Sequence, residues 1–246
     1  ENWHKSGIDQ NFGERASRLA DAYVAMGVKP TFTCAPYLLN DKPQFGENIG
    51  WSESNAVIFA NTVLGARTQK HPDYLDLFIS MTGRAPASKI YSTHGRKARV
   101  KIEVTIPQNW LPDDEIFWPL IGWLSGKLSP DTVPLITGLE YLSTTTDDLK
   151  SLCAAFGTTS GAPMLHILGQ TPESDDQADE GLPIQRIDSE DLKEAWFELN
   201  RGLEKIDLVA IGSPHASIDE IRKIVTLLDG RRCHQHTQIK ITTARD

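Results

Sequence analysis

The stretch 53–66 reads as a helix that is apolar on most sides, yet it carries a stripe of small polar residues. Ser54, Asn61 and Gly65 share one face, because steps of seven and eleven residues bring an α-helix nearly back into register. Such a stripe faces something polar and buried. It is either a satisfied hydrogen-bond network between helices or the wall of a site. In the second case Ser54 and Asn61 form the wall, the carboxylates of Glu47 and Glu53 lie nearby, and Arg67 supplies the cation for an anionic ligand. The run that leads into this helix, TFTCAPYLLNDKPQFGENIGWSESN at 31–55, holds Cys34, two prolines, two glutamates and almost no apolar periodicity. It reads as a long loop, and long loops inside compact domains are either disordered or functional.

A second cluster lies in IGSPHASIDEI, residues 211–221. A strand is expected to end at Gly212, and Ser217 with Glu220 forms a capping box that opens the next helix. Ser213, Pro214 and His215 then occupy the turn at the carboxyl end of a strand, beside a helix N-terminus, where α/β proteins usually bind ligands and where anions are favoured. The bland reading is that Ser213 and His215 merely satisfy backbone groups of the turn. His166, inside the apolar strand APMLHIL, reads more readily as a hydrogen-bonded core residue than as a ligand. No Ser-His-Asp order, phosphate-binding Walker loop, HExxH or CxxC pair occurs.

The elements that must position these residues alternate. Helices are expected at 10–26 (with Gly27 as its C-cap), at 53–66 (with Ser52 as N-cap), at 73–83, near 114–127, and at 146–157, 189–201 and 217–229. Strands are expected at 97–106, where KARVKIEVTI alternates charged and β-branched residues, and at 132–139, 162–168, 206–212 and 237–242. This order implies an α/β fold, with parallel or mixed sheets and helices on both faces. The acidic loop 171–181 reads as a solvated surface insertion. A boundary near 107–113 would divide the chain into 1–110, carrying the Cys34 loop, and 111–246, carrying the Ser213–His215 turn.

Bulk composition sets limits on partners. With 33 acidic against 25 basic residues and a formal net charge of -8, the chain lacks the basic surface that phosphate neutralisation on nucleic acid requires. Three widely spaced cysteines do not make a disulfide framework and favour a reducing, cytoplasmic setting. No apolar run reaches the length of a membrane span, and the N-terminus is no signal peptide. The chain starts without Met and stops directly after an expected strand, so it reads as an internal piece of a longer protein.

The segment CAPYLLNDKPQFGENIGWSESNAVIFANTVLGARTQ, followed by GWLSGKL, HILGQTPE and DLVAIGSPHASIDEI, resembles the aconitase X family over nearly the whole chain and in one order. The resemblance implies an aconitase-like fold and a hydro-lyase activity, with iron or an iron–sulfur cluster at the active site. Cys34 matches the family's cysteine and would ligate iron, as a loop thiolate can. Glu47, Asn48, Glu53, Ser54, Asn55, Asn61, Arg67 and Thr68 lie in the matching motif and would line the substrate site, with His166 and His215 as further candidates. The catalytic base is not assigned. Ser213, the second candidate metal residue beside Cys34, stands in the turn where many members carry a second cysteine as iron ligand; serine is a poor cluster ligand, which leaves the type of iron centre open, and Cys153 and Cys233 read as small buried residues.

The resemblance further implies a small swivelling domain or subunit as partner, and ligands on segments outside this chain, so the isolated piece is expected to be inactive. A small-molecule substrate is expected, with no nucleic acid and no membrane. Dehydration of cis-3-hydroxy-L-proline is the first reading, because no phosphate-binding basic cluster is visible. Mevalonate 5-phosphate dehydration is the second, and a non-catalytic aconitase-like domain is the third.

Overall fold

The computed structural model describes residues 3–5, 7–106, 116–177, 181–202 and 204–244, so the expected boundary at 107–113 lies outside the described residues. The chain divides into two units. One comprises 1–33 with 244–246, and the other runs from Cys34 to Thr243.

In the first unit, helix α1 spans Gln10–Ala25. Asp9 caps it, its carboxylate accepting the Phe12 amide at 2.9 Å. The Trp3 indole donates to the Ser17 hydroxyl at 3.1 Å.

The second unit is α/β, as expected. Strands β1 (Val100–Val104), β2 (Pro134–Thr137), β3 (His166–Ile167) and β4 (Ile184–Ile187) form a parallel sheet in the order β3-β2-β1-β4. Parallel pairing needs crossover helices. These are α4 (Phe117–Leu128) between β1 and β2 and α5 (Thr146–Thr159) between β2 and β3, with α6 (Ser189–Leu199) after β4. A second, two-stranded parallel sheet pairs β5 (Leu208–Ala216) with β6 (Gln238–Thr243) across α7 (Ile218–Leu228). No helix among the described residues is long and apolar enough to cross a membrane.

The core explains the helices' sequence. Val100, Ile102 and Val104 point one way from β1 into it, and α2 (Ser54–Phe59) buries Ala56, Val57, Ile58 and Phe59 outright. An apolar-all-round helix belongs in that position. Helix α3 (Leu75–Thr82) closes at Gly83 as expected. Helices α4 and α5 approach so closely that a Cβ added at Gly122 would lie 2.2 Å from the Leu152 carbonyl oxygen. Gly122→Ala should therefore destabilise by about 2 kcal/mol, the strain of overpacking exceeding the gain in helix propensity. Urea unfolding checks this, and a stabilised variant would refute the close approach.

Three expectations differ from what is found. The helix expected over 53–66 is capped by Glu53 rather than Ser52, and it changes at residue 60 to a π-helical turn, Ala60–Leu64. That wider turn breaks the seven-residue register on which the stripe rested. Strand β4 is an addition to the expected strands: QRI alternates poorly, and only Ile187 of it is buried. Strand β5 runs on through Ser213–His215 to Ala216, with a register irregularity between Ile211 and Ala216, instead of ending at Gly212.

Candidate functional site

Cys34 is held by the start of α2. The first helical N–H groups have no intrahelical acceptor, and Glu53 accepts the Ala56 amide at 2.9 Å. Asn55 reaches back from the same turn, its amide donating to the Cys34 carbonyl at 3.3 Å and to the Glu53 carboxylate. The Tyr37 hydroxyl donates to Asn55 Oδ1 at 2.9 Å and so fixes which way the amide faces. Tyr37 itself stacks on Phe59 with ring centroids 4.0 Å apart. Burial pushes its hydroxyl far above the ordinary tyrosine value, so it remains a donor.

The thiol of Cys34 meets β5. The His215 amide donates to Cys34 Sγ at 3.1 Å. The strand kinks at Gly212, whose φ is +108° and where a Cβ would strike the Thr242 carbonyl oxygen at 2.1 Å, so only glycine lets the segment swing toward Cys34. Nδ1 of His215 is buried and has no hydrogen-bond partner among the described residues.

Between these two elements lies a cleft of about 420 Å³. Glu53, Ser54 and Asn55 line it from α2, Lys150 and Ser151 from α5, Ser213 and Pro214 from β5, and Glu220 from α7, over an apolar floor that includes Pro119, Ala154 and Ala155. Lys150 is 1% exposed and pairs with Asp147 at 3.0 Å and with Glu220.

The structure thus brings together six of the expected residues: Cys34, Glu53, Ser54, Asn55, Ser213 and His215. The others lie elsewhere. Asn61 is fully buried, its amide donating to the carbonyls of Thr68 (2.8 Å) and Pro163 (2.9 Å) and its oxygen accepting the Thr68 amide (2.9 Å). Arg96 completes that knot, donating to Asn61 Oδ1 at 3.1 Å and forking onto Glu173. His166 joins it through the Arg96 carbonyl at 2.7 Å, and burial lowers its pKa, keeping the ring neutral. Asn48 and Arg67 pair as an isolated backbone bridge. The Arg67 guanidinium donates to the Tyr91 carbonyl at 2.7 Å, and Glu47 accepts the Gln44 amide at 2.9 Å. Ser54 and Asn61 do not form one wall, because the π turn separates their directions: Ser54 lines the cleft and Asn61 faces the Arg96 knot.

Sequence reasoning passed over Tyr37, Lys150, Asp147, Glu220, Arg96 and Glu173. A lysine amid Leu149, Leu152 and Cys153 on the buried face of α5 was the available signal. Glu173, read as part of a solvated loop, is only 12% exposed and paired, while Cys233, read as buried, is exposed.

As iron donors, the residues present fit at one position. Cys34 offers a partly exposed sulfur that already accepts an amide hydrogen bond, a feature of cluster thiolates. Cys153 is 1% exposed, and burial drives its thiol well above the ordinary value. No three His, Cys, Asp or Glu side chains among the described residues converge as a metal set.

Models of the aconitase X first, second and third domains match residues 1–94, 98–197 and 206–246 in order. The cis-3-hydroxy-L-proline dehydratase of Hypocrea jecorina is 42% identical over 99% of this chain, and that of Pseudomonas aeruginosa 44% identical over 99%. The chain spans 42% of the length of each. The phosphomevalonate dehydratase large subunit of Methanocaldococcus jannaschii is 34% identical over 94% of this chain and 58% of its own. A crystal structure of Thermococcus kodakaraensis aconitase X in its holo-form superposes with a TM-score of 0.86 at 32% identity, over 97% of this chain and 60% of that one. With three successive domain models of one family in register along it, the chain belongs to the aconitase X family.

Proposed function

We propose that the full-length protein is a hydro-lyase that dehydrates cis-3-hydroxy-L-proline in the cleft between α2 and β5, beside Cys34. The observation that carries the reading is the cleft's charge. Glu53 and Glu220 contribute carboxylates, and Lys150 is the only basic side chain among the described lining residues, already paired with two acids. A phosphate ester brings close to two negative charges and calls for unpaired cations, whereas the ring ammonium of a hydroxyproline finds its complement in Glu53, the lining carboxylate that no lysine or arginine pairs with among the described residues. The higher identity to the hydroxyproline dehydratases than to the phosphomevalonate enzymes supports the same choice.

The reaction removes the proton on the carbon beside the carboxylate and expels the neighbouring hydroxyl as water. Glu53 holds the ammonium, and the hydroxyls of Ser54 and Ser213 offer neutral donors to the substrate carboxylate. Cys34 would hold iron, with its remaining ligands outside the described residues; when bound, iron supplies Lewis acidity toward a leaving hydroxyl. A small swivelling domain or subunit completes the assembly, in keeping with relatives named as large subunits.

Turnover of the two hydroxy acids by anaerobically purified full-length protein tests the reading. We expect kcat/KM for cis-3-hydroxy-L-proline to exceed that for mevalonate 5-phosphate by roughly a hundredfold or more, since like charge set against the cleft carboxylates discriminates strongly. The reverse preference would overturn the substrate, and no turnover of either would overturn the enzyme.

A further inference from the structure

We propose that Lys150 is a positioning residue that pins the 215–217 segment to α5 and thereby sets the His215 amide on Cys34; the proposal rests on Cys34 being a site residue. Lys150 donates to the Glu220 carboxylate and to the His215 carbonyl at 3.4 Å, and its ammonium pairs with Asp147 Oδ1 at 3.0 Å. The two acids then reach the same segment from either side. Glu220 accepts the Ser217 amide at 2.8 Å, and the Ser217 hydroxyl donates to Asp147 Oδ2 at 2.7 Å while accepting the Glu220 amide at 3.1 Å.

Residue 215 is therefore held at both backbone groups, its carbonyl by Lys150 and its amide on the Cys34 sulfur at 3.1 Å. Lys150 lies on α5, Cys34 precedes α2, and the segment they share belongs to β5 and α7, so the lysine couples three elements that meet at the cleft. A buried ion group of this kind seldom beats apolar packing as a stabiliser. What it adds here is a defined place for a segment that strand pairing leaves irregular, between Ile211 and Ala216.

Removing the ammonium leaves Asp147 and Glu220 facing each other without their shared donor. The segment then relaxes from α5, and the sulfur loses both its amide partner and its cover. The three thiols report on this separately, because Cys34 is partly exposed, Cys153 buried and Cys233 exposed.

The experiment is iodoacetamide labelling of the full-length protein, as purified and after chelator treatment, with each cysteine followed by peptide mass spectrometry. In the chelator-treated K150Q variant, Cys34 should label about tenfold faster than in the wild type, the equivalent of one lost hydrogen bond, with Cys153 still protected and Cys233 unchanged. A Cys34 rate unchanged from wild type, or one that rises only in step with Cys153, would overturn the proposal. If K150Q fails to fold, S217A decides. It removes the Asp147 link together with the hydroxyl that caps α7 while leaving Lys150 in place, and should raise Cys34 labelling about threefold, as part of one such bond is lost; no rise overturns the proposal. Chelation alone should expose Cys34 in the wild type if it holds iron, and absence of turnover would count against the dehydratase while leaving the labelling outcome readable.

Discussion

Arg96→Met is expected to lower the stability of the protein by about 3–5 kcal/mol, the cost of removing one partner from a buried charge pair. The side chain is 1% exposed, and its guanidinium donates to both Glu173 oxygens and to two oxygens of Asn61. Methionine would fill most of the volume but supply none of the donors. Glu173 would then keep a carboxylate at 12% exposure without a cation. Asn61 would lose its tie to residue 96, and with it one restraint on the 67–68 backbone that it brackets. Lysine should recover only part of the loss, because an ammonium cannot fork onto Glu173 and also reach Asn61. Urea unfolding of the three proteins measures this, and a loss below about 1 kcal/mol, the worth of an exposed pair, would show that the network is not the structural knot described here.

Cys34→Ala should have the opposite profile, with catalysis lost and the fold retained. The partly exposed thiol contributes one sulfur hydrogen bond to the packing, so the unfolding midpoint should move by no more than about 1 kcal/mol. Turnover of cis-3-hydroxy-L-proline by the full-length protein should fall by at least about a hundredfold, since even outer partners of a metal ligand cost 10–100-fold when removed. Parallel losses of stability and activity would instead make Cys34 a packing residue. Alanine is the informative replacement, because it leaves no weak oxygen donor behind.

The fold was legible where hydrophobic period and capping chemistry agree. The capping boxes at Thr145 and Ser217, the alternation of β1 and the all-round apolar α2 carry their structure in their residues. One short strand is not so readable, because β4 is mostly exposed and shows no full period, while the strand expected at 162–168 is found as the two residues of β3. Half of the candidate site was legible too, as the loop around Cys34 and the turn at Ser213–His215 do converge through the amide-to-sulfur bond. What adjacency in sequence cannot show is long-range partnership. Asn61 and His166 are polar for the sake of Arg96, and Lys150 is buried for the sake of a segment 65 residues away. A polar stripe on a buried helix looks the same whether its partner is a substrate or a guanidinium.

The most direct test of Cys34 as the centre of the site is elemental analysis for iron in anaerobically purified full-length protein, beside its Cys34→Ala variant at matched fold content. The wild type should carry iron in stoichiometric amounts and the variant only traces. Equal iron in the two proteins would contradict the assignment of Cys34 and, with it, the cleft between α2 and β5 as the place where water is removed.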